Sequence, residues 1–139
     1  MVKLPHWPIH TGNASTDSIA LMKHILGLMG NPQQKLKNII HVGGTNGKGS
    51  TIAFLSQILR QEGFTVNVYT SPHIFNFTER FSLNGENTST DEVFMALEEV
   101  RSVCEKHGLY PTVLEASTVA AFHLFARQNA DYNIIECCM

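Results

Sequence analysis

The residues best suited to chemistry are Gly44-Thr45-Asn46-Gly47-Lys48-Gly49-Ser50-Thr51. Closely spaced glycines, a lysine and two hydroxyls suit one task, holding phosphate. Glycines let the backbone adopt φ > 0 and bring its N–H groups close to anionic oxygens. A helix starting there aims its unpaired N–H groups and positive dipole end at the same anion. Lys48 adds a mobile positive charge for the terminal phosphates, and the hydroxyls of Ser50 and Thr51 suit metal or phosphate. The expected ligand is ATP with a divalent metal. The common phosphate loop reads G-x-x-x-x-G-K-[ST]; here Val42 takes the first glycine position and Gly49 separates Lys48 from the hydroxyl pair. Without flanking elements the same residues are only a glycine-rich turn with a surface lysine.

The phosphate reading therefore requires a strand before the loop and a helix after it. Asn38-Ile39-Ile40-His41-Val42 is a short apolar run leading directly into the glycines. Behind them, Ile52, Leu55, Ile58 and Leu59 recur on one helical face until Gly63. Phe64 to Tyr69 is β-branched and aromatic, a second strand, broken by Thr70-Ser71-Pro72-His73. Arg80 to Leu83 with the turn Asn84-Gly85 predicts a short strand or hairpin. Ser89 and Glu92 form a capping box ahead of the stripe Val93, Leu97, Val100, Cys104, which ends near Gly108. Pro111 and Thr112 open a helix through Ala120, Ala121 and Leu124 that closes at Asn129, and Tyr132 to Met139 reads as a buried strand. Upstream, Ser15 or Thr16 caps a helix carrying Ile19, Met22, Leu26 and Met29, stopped by Gly30-Asn31-Pro32. Pro5, Pro8 and Gly12 make the first dozen residues an extended arm. This alternation predicts an α/β fold, a mostly parallel sheet with helices on both faces and right-handed crossovers.

A length of 139 residues suits one domain, and 43% apolar with 16% charged residues is ordinary globular composition. A formal charge of −2 gives no bulk electrostatic reason to expect nucleic acid or an anionic membrane as partner. Phosphate binding must come from local geometry. No apolar run reaches the ~18 residues of a membrane span. Cys104, Cys137 and Cys138 have no CxxC spacing, which favours neither a disulfide framework nor zinc and makes a reducing cytoplasm the expected compartment. Cys137 and Cys138 point to opposite faces of the last strand and read as packing residues. His24 and His123 lie on predicted helices as surface or packing residues, His41 is structural, and His73 stands where it can shape the loop around Ser71.

The variant loop and the segments downstream of it narrow the family. HVGGTNGKGST, then VYTSPH and FNFTER, then LEASTVAAFHLFA and YNIIEC, with HWPIH and GNP upstream, resemble folylpolyglutamate and dihydrofolate synthases, members of the Mur ligase superfamily. The resemblance covers essentially the whole chain but only the first part of the family's length. It implies a P-loop NTPase-like fold, with residues 1–139 the N-terminal part of an incomplete ATP-binding domain and the C-terminal glutamate-ligase domain absent. It implies ATP-dependent ligation of L-glutamate to a folate or dihydropteroate carboxylate through an acyl phosphate. Thr45, Asn46, Gly47, Lys48, Gly49 and Ser50 match the ATP loop, with Lys48 the catalytic cation. Ser71 and Glu136 match the ligands of Mg2+, and Thr112, Val113, Leu114 and Glu115 match a pterin-contacting segment. The implied partners are small molecules, ATP, folate or dihydropteroate and L-glutamate, without nucleic acid or membrane, on a full-length monomer. A chain stopping on an apolar strand reads as truncated or a fragment, with weak ATP–magnesium binding and little turnover alone. The alternatives are a non-catalytic remnant and a generic P-loop kinase or NTPase, the latter disfavoured by Gly49 and by a strand ending in Glu136.

Overall fold

The computed structural model describes residues 16–137. In chain order they form α1 (Thr16–Leu28), β1 (Ile39–Val42), α2 (Lys48–Gln61), β2 (Val66–Tyr69), β3 (Phe81–Leu83), β4 (Glu86–Asn87), α3 (Thr90–His107), α4 (Val113–Gln128) and β5 (Tyr132–Glu136), with short 3-10 turns at Pro32–Lys35 and Phe77–Arg80. The helices and strands expected from sequence are all present within this range. The expected arm over the first dozen residues, the cap at Ser15, and Cys138 and Met139 of the last strand lie outside the described residues.

The five strands make one sheet in the order β1-β5-β2-β3-β4. β1, β5 and β2 run parallel, whereas β3 pairs antiparallel with β2 and β4 antiparallel with β3. The sheet is thus mixed, more so than the sequence predicted. The loop over 70–80 returns β3 directly along β2 without a crossover helix. Asn84-Gly85, with φ values of 50° and 82°, then turns the chain straight back to form the β3–β4 hairpin.

Alternation along the strands sends side chains to two separate cores. Val66 and Val68 of β2 and Ile134 of β5 meet Ile52 of α2, flanked by Ile40, Val42, Leu55, Leu59 and Tyr132. Tyr69, Phe81 and Ile135 face the other way, into the larger core built with α1, α3 and α4 around Val93, Leu97, Val100, Val119 and Phe125. Each such large apolar side chain contributes about 1.5–3 kcal/mol by leaving water. Asn67 and Asn133 sit opposite each other in the parallel register, 1% exposed. Asn67 Nδ2 donates to Asn133 Oδ1 at 3.1 Å, Asn133 Nδ2 donates to the Lys37 carbonyl at 2.8 Å, and Asn67 Oδ1 accepts the Asn84 N–H at 3.4 Å. A slip of either strand would strand these amides without partners, so the pair fixes the register.

Candidate functional site

The parallel strands β1, β5 and β2 bring their C-terminal ends to the same end of the sheet, the place where open α/β sheets hold ligands. β1 ends at Val42 and the chain enters the glycine loop. Gly44 (φ 142°) and Gly47 (φ 77°) take positive φ, and α2 begins at Lys48. Gly47 supplies no side-chain cap to α2, whereas α3 and α4 are closed by the capping boxes Ser89/Glu92 and Thr112/Glu115. The first bond closing α2 runs from the Thr51 N–H to the Gly47 carbonyl at 2.9 Å. The amides ahead of it have no acceptor within the helix and open toward the loop, which is what an anion site needs.

Lys48 Nζ donates to the Gly44 carbonyl at 2.8 Å and lies 3.7 Å from Glu136 Oε1. Glu136 ends β5 at 7% exposure, and its Oε2 accepts the Ser71 N–H at 2.9 Å. Ser71 follows β2 and precedes a cis peptide to Pro72. One carboxylate thereby ties the β2 loop and the glycine loop together. Lys48, Ser71 and Glu136 share a pocket of about 450 Å³ with Pro72, Arg80, Val113 and Leu114. Of the residues expected at one site, Lys48, Ser71, Glu136, Val113 and Leu114 share this pocket, whereas Gly49 lines a separate groove toward β2.

Four placements refine the sequence reading. Thr112 and Glu115 do not line this pocket; they hold each other. Glu115 accepts the Thr112 N–H at 2.6 Å and the Ser18 hydroxyl, and the Thr112 hydroxyl accepts the Glu115 N–H at 3.3 Å. Burial works against the Glu115 charge, but the Ser18 and Thr112 hydrogen bonds outweigh it and hold its pKa below the usual range. Only Val113 and Leu114 of that segment face the pocket. The Thr51 hydroxyl is committed to the Gly47 carbonyl at 2.9 Å, while Ser50 is exposed. Cys137 lies past the end of β5, half-buried, with Sγ 3.5 Å from His41 Nδ1. His73 is engaged by Arg80, its Nδ1 accepting from Arg80 Nε at 3.1 Å.

Arg80 is the pocket residue that sequence reasoning passed over. Its guanidinium rests 5.3 Å from the Phe77 ring centre and is steered by His73. The loop presenting it is organised by Glu79, whose carboxylate gathers the N–H groups of Ile74, Phe75 and Asn76. Those amides, Ile74 first, lower the Glu79 pKa. The signal was the FNFTER segment, read only as resemblance. Among the described residues no cluster of three or more His, Cys, Asp or Glu can cage a metal. A divalent ion here would rest on Glu136 and Ser71 and take its other oxygens from water and phosphate, the habit of magnesium.

No protein-family model matches the chain. The dihydrofolate synthase/folylpolyglutamate synthase of Bacillus subtilis is 38% identical over 121 residues, covering 83% of this chain and 28% of that protein. This chain is a homologue of the folylpolyglutamate and dihydrofolate synthases. The bifunctional synthase of Yersinia pestis, solved with AMPPNP and a manganese ion, superposes with a TM-score of 0.85 at 27% identity, over 95% of this chain and 31% of that one. A bifunctional synthase solved with Mn, AMPPNP and L-glutamate gives 0.82 at 29% identity, over 88% of this chain and 29% of that one. The chain thus spans under a third of the synthases it matches. Among the described residues no helix is long and apolar enough to cross a membrane.

Proposed function

We propose that this chain carries the nucleotide and metal half of an ATP-dependent ligase that joins L-glutamate to the carboxylate of a folate or dihydropteroate through an acyl phosphate. The observation that carries the reading is the meeting of Lys48, Ser71 and Glu136 in one pocket at the uncapped start of α2. Its support from relatives is that synthases of this fold hold AMPPNP, manganese and L-glutamate.

In this reading the loop is P-loop NTPase-like. The amides and side chains of Thr45, Asn46, Gly47, Gly49 and Ser50 receive the phosphates, and Lys48 leaves the Gly44 carbonyl to follow the terminal phosphate. Glu136 and Ser71 hold Mg2+. When bound, the ion neutralises charge on the transferring phosphoryl group. Arg80 faces the same pocket from the opposite loop and offers a fixed cation to the acid whose carboxylate is activated. Val113 and Leu114, exposed at 43% and 41%, supply the apolar wall for a pterin or its aryl linker. Thr112 and Glu115 act on that substrate by fixing the first turn of α4. Two cations flanking one carboxylate hold the reactants without needing bulk positive charge. A cytoplasmic location accords with this chemistry.

Calorimetric titration of the chain with AMPPNP, with and without Mg2+, tests the proposal. Binding should be strengthened by the ion and be lost in Lys48→Ala. Metal-independent binding that survives Lys48→Ala would remove the basis for the assignment. A second assay sets L-glutamate plus a pteroate against an alcohol acceptor as stimulants of ATP cleavage; stimulation by the alcohol alone would indicate a kinase.

A further inference from the structure

Tyr69 ends β2, two residues before Ser71, and is 1% exposed. Its hydroxyl leaves the sheet and reaches α4, 2.8 Å from Ser117 Oγ and 3.3 Å from Thr118 Oγ1. The count of protons fixes the direction of these bonds. The Ser117 and Thr118 hydroxyls both donate to the Leu114 carbonyl, at 3.0 and 2.8 Å. A hydroxyl has one hydrogen to give, so toward Tyr69 each of them can only accept. The phenol is therefore the donor. A chain of hydrogen bonds runs one way, from Tyr69 through Ser117 to the backbone of Leu114.

The two bonds inside α4 are local and common for Ser and Thr in helices. The bond from Tyr69 is different, spanning 48 positions between a strand and a helix. α4 does not need it in order to form, because the capping box Thr112/Glu115 already closes its first turn. Phenylalanine would fill the same core space with no polar atom to bury. What the hydroxyl adds is a fixed distance between the end of β2 and the turn of α4 that presents Val113 and Leu114 to the pocket. The ring of Tyr69 supports the opposite wall. It packs on Phe81 at 5.5 Å between centroids, Phe81 packs on Phe77 at 5.7 Å, and Phe77 carries the Arg80 guanidinium. One buried side chain thus stands behind both the apolar wall and the cationic wall of the site.

We propose that Tyr69 is a positioning residue for the acid substrate: its hydroxyl sets the span between Leu114 and Arg80, and so how closely the two walls grip a flat aromatic acid. This rests on the reading that Val113 and Leu114 meet that substrate. The nucleotide side does not depend on the hydroxyl, because the Tyr69 backbone is held in register by Ile135 on one side and Phe81 on the other.

The test is calorimetric titration of the 139-residue chain with AMPPNP–Mg2+ and, separately, with pteroate, on wild type, Tyr69→Phe, Ser117→Ala and the double variant. Tyr69→Phe keeps the aromatic packing. It should weaken pteroate binding about fivefold, the worth of one lost hydrogen bond, while AMPPNP affinity holds within about twofold. Ser117→Ala breaks the chain from the helix side and should do the same, and the double variant should bind pteroate no more weakly than either single one. A hydroxyl that only stabilises the fold would lower the melting temperatures and leave the ratio of the two affinities, measured well below the melt, unchanged. That result would overturn the proposal, as would equal loss of both ligands or additive losses in the double variant. A wild-type chain that binds AMPPNP but not pteroate would remove the substrate reading of Val113 and Leu114, and the proposal with it. Wild-type pteroate binding that persists unaltered in both single variants would remove the positioning role alone.

Discussion

Replacing Glu136 by Gln separates its two roles. The residue stands 3.7 Å from Lys48 Nζ, with side-chain exposures of 6% for Glu136 and 22% for Lys48. At an effective dielectric near 20, two unit charges at that separation attract by about 4 kcal/mol. The net loss is smaller. Glutamine still accepts the Ser71 N–H, and Lys48 keeps the Gly44 carbonyl and its share of water. A cost of about 1–2 kcal/mol is expected, seen as a melting temperature lower by roughly 3–8 °C. Nucleotide binding should change in the opposite sense when metal is absent. The substitution removes an anion beside the triphosphate and releases Lys48, so metal-free AMPPNP should bind as well as before or better. With Mg2+ the wild-type chain should gain affinity and the variant should lose at least about tenfold of that gain, roughly 1.4 kcal/mol. The assay is a pair of calorimetric titrations on each protein, with Mg2+ and with a chelator, beside a thermal melt. Full Mg2+ stimulation in the variant would refute the metal role and leave Glu136 as only the lysine's partner.

Four further outcomes are expected. Gly47→Ala meets no neighbour within 4 Å but holds a left-handed φ of 77°, so it should cost about 1–2 kcal/mol and weaken AMPPNP binding, both measurable on one sample. Thr112→Ala should cost about 1 kcal/mol as a lost cap. Glu115, whose folded pKa lies below 4.5, contributes stability that is present above that value and lost as pH falls through the folded pKa. Glu115→Gln should therefore melt below wild type at about pH 6 and approach it as the pH falls below the ordinary carboxylate range; parallel melts across that range decide the matter. Cys104, buried and pushed up to about 11 by desolvation and then by Glu105, should resist a thiol reagent at about pH 8 until the chain is denatured, which mass-resolved labelling will show.

How far the sequence foretold this site depends on how local each contact is. The glycine loop with its strand and helix was legible because φ > 0 positions and a helical period are written within one short stretch of chain. The Asn84-Gly85 hairpin was legible for the same reason, though not its pairing with β2. The bond from the Ser71 N–H to Glu136 spans 65 positions, and nothing in the spacing of either residue announces the other; resemblance alone placed them together. Thr112 and Glu115 are the reverse case. Their T-x-x-E spacing is the capping signature already recognised at Ser89 and Glu92, yet the substrate reading absorbed it.

These two cases share one cause, and it bears on how the site works. A carboxylate is assigned correctly only when its competing partners are known, because a capping bond and a ligand contact draw on the same oxygens. Glu115 spends both on Thr112 and Ser18 and stays out of the pocket. Glu136 gives Oε2 to Ser71 but holds Oε1 against a lysine that a phosphate can draw away. Removal of that lysine by a bound nucleotide leaves a nearly buried carboxylate without its cation, an arrangement that costs several kcal/mol unless another cation takes the place. On the proposed reading, the Lys48–Glu136 ion pair would make nucleotide and divalent metal binding mutually dependent: either alone would leave an uncompensated charge, and both together would restore the balance.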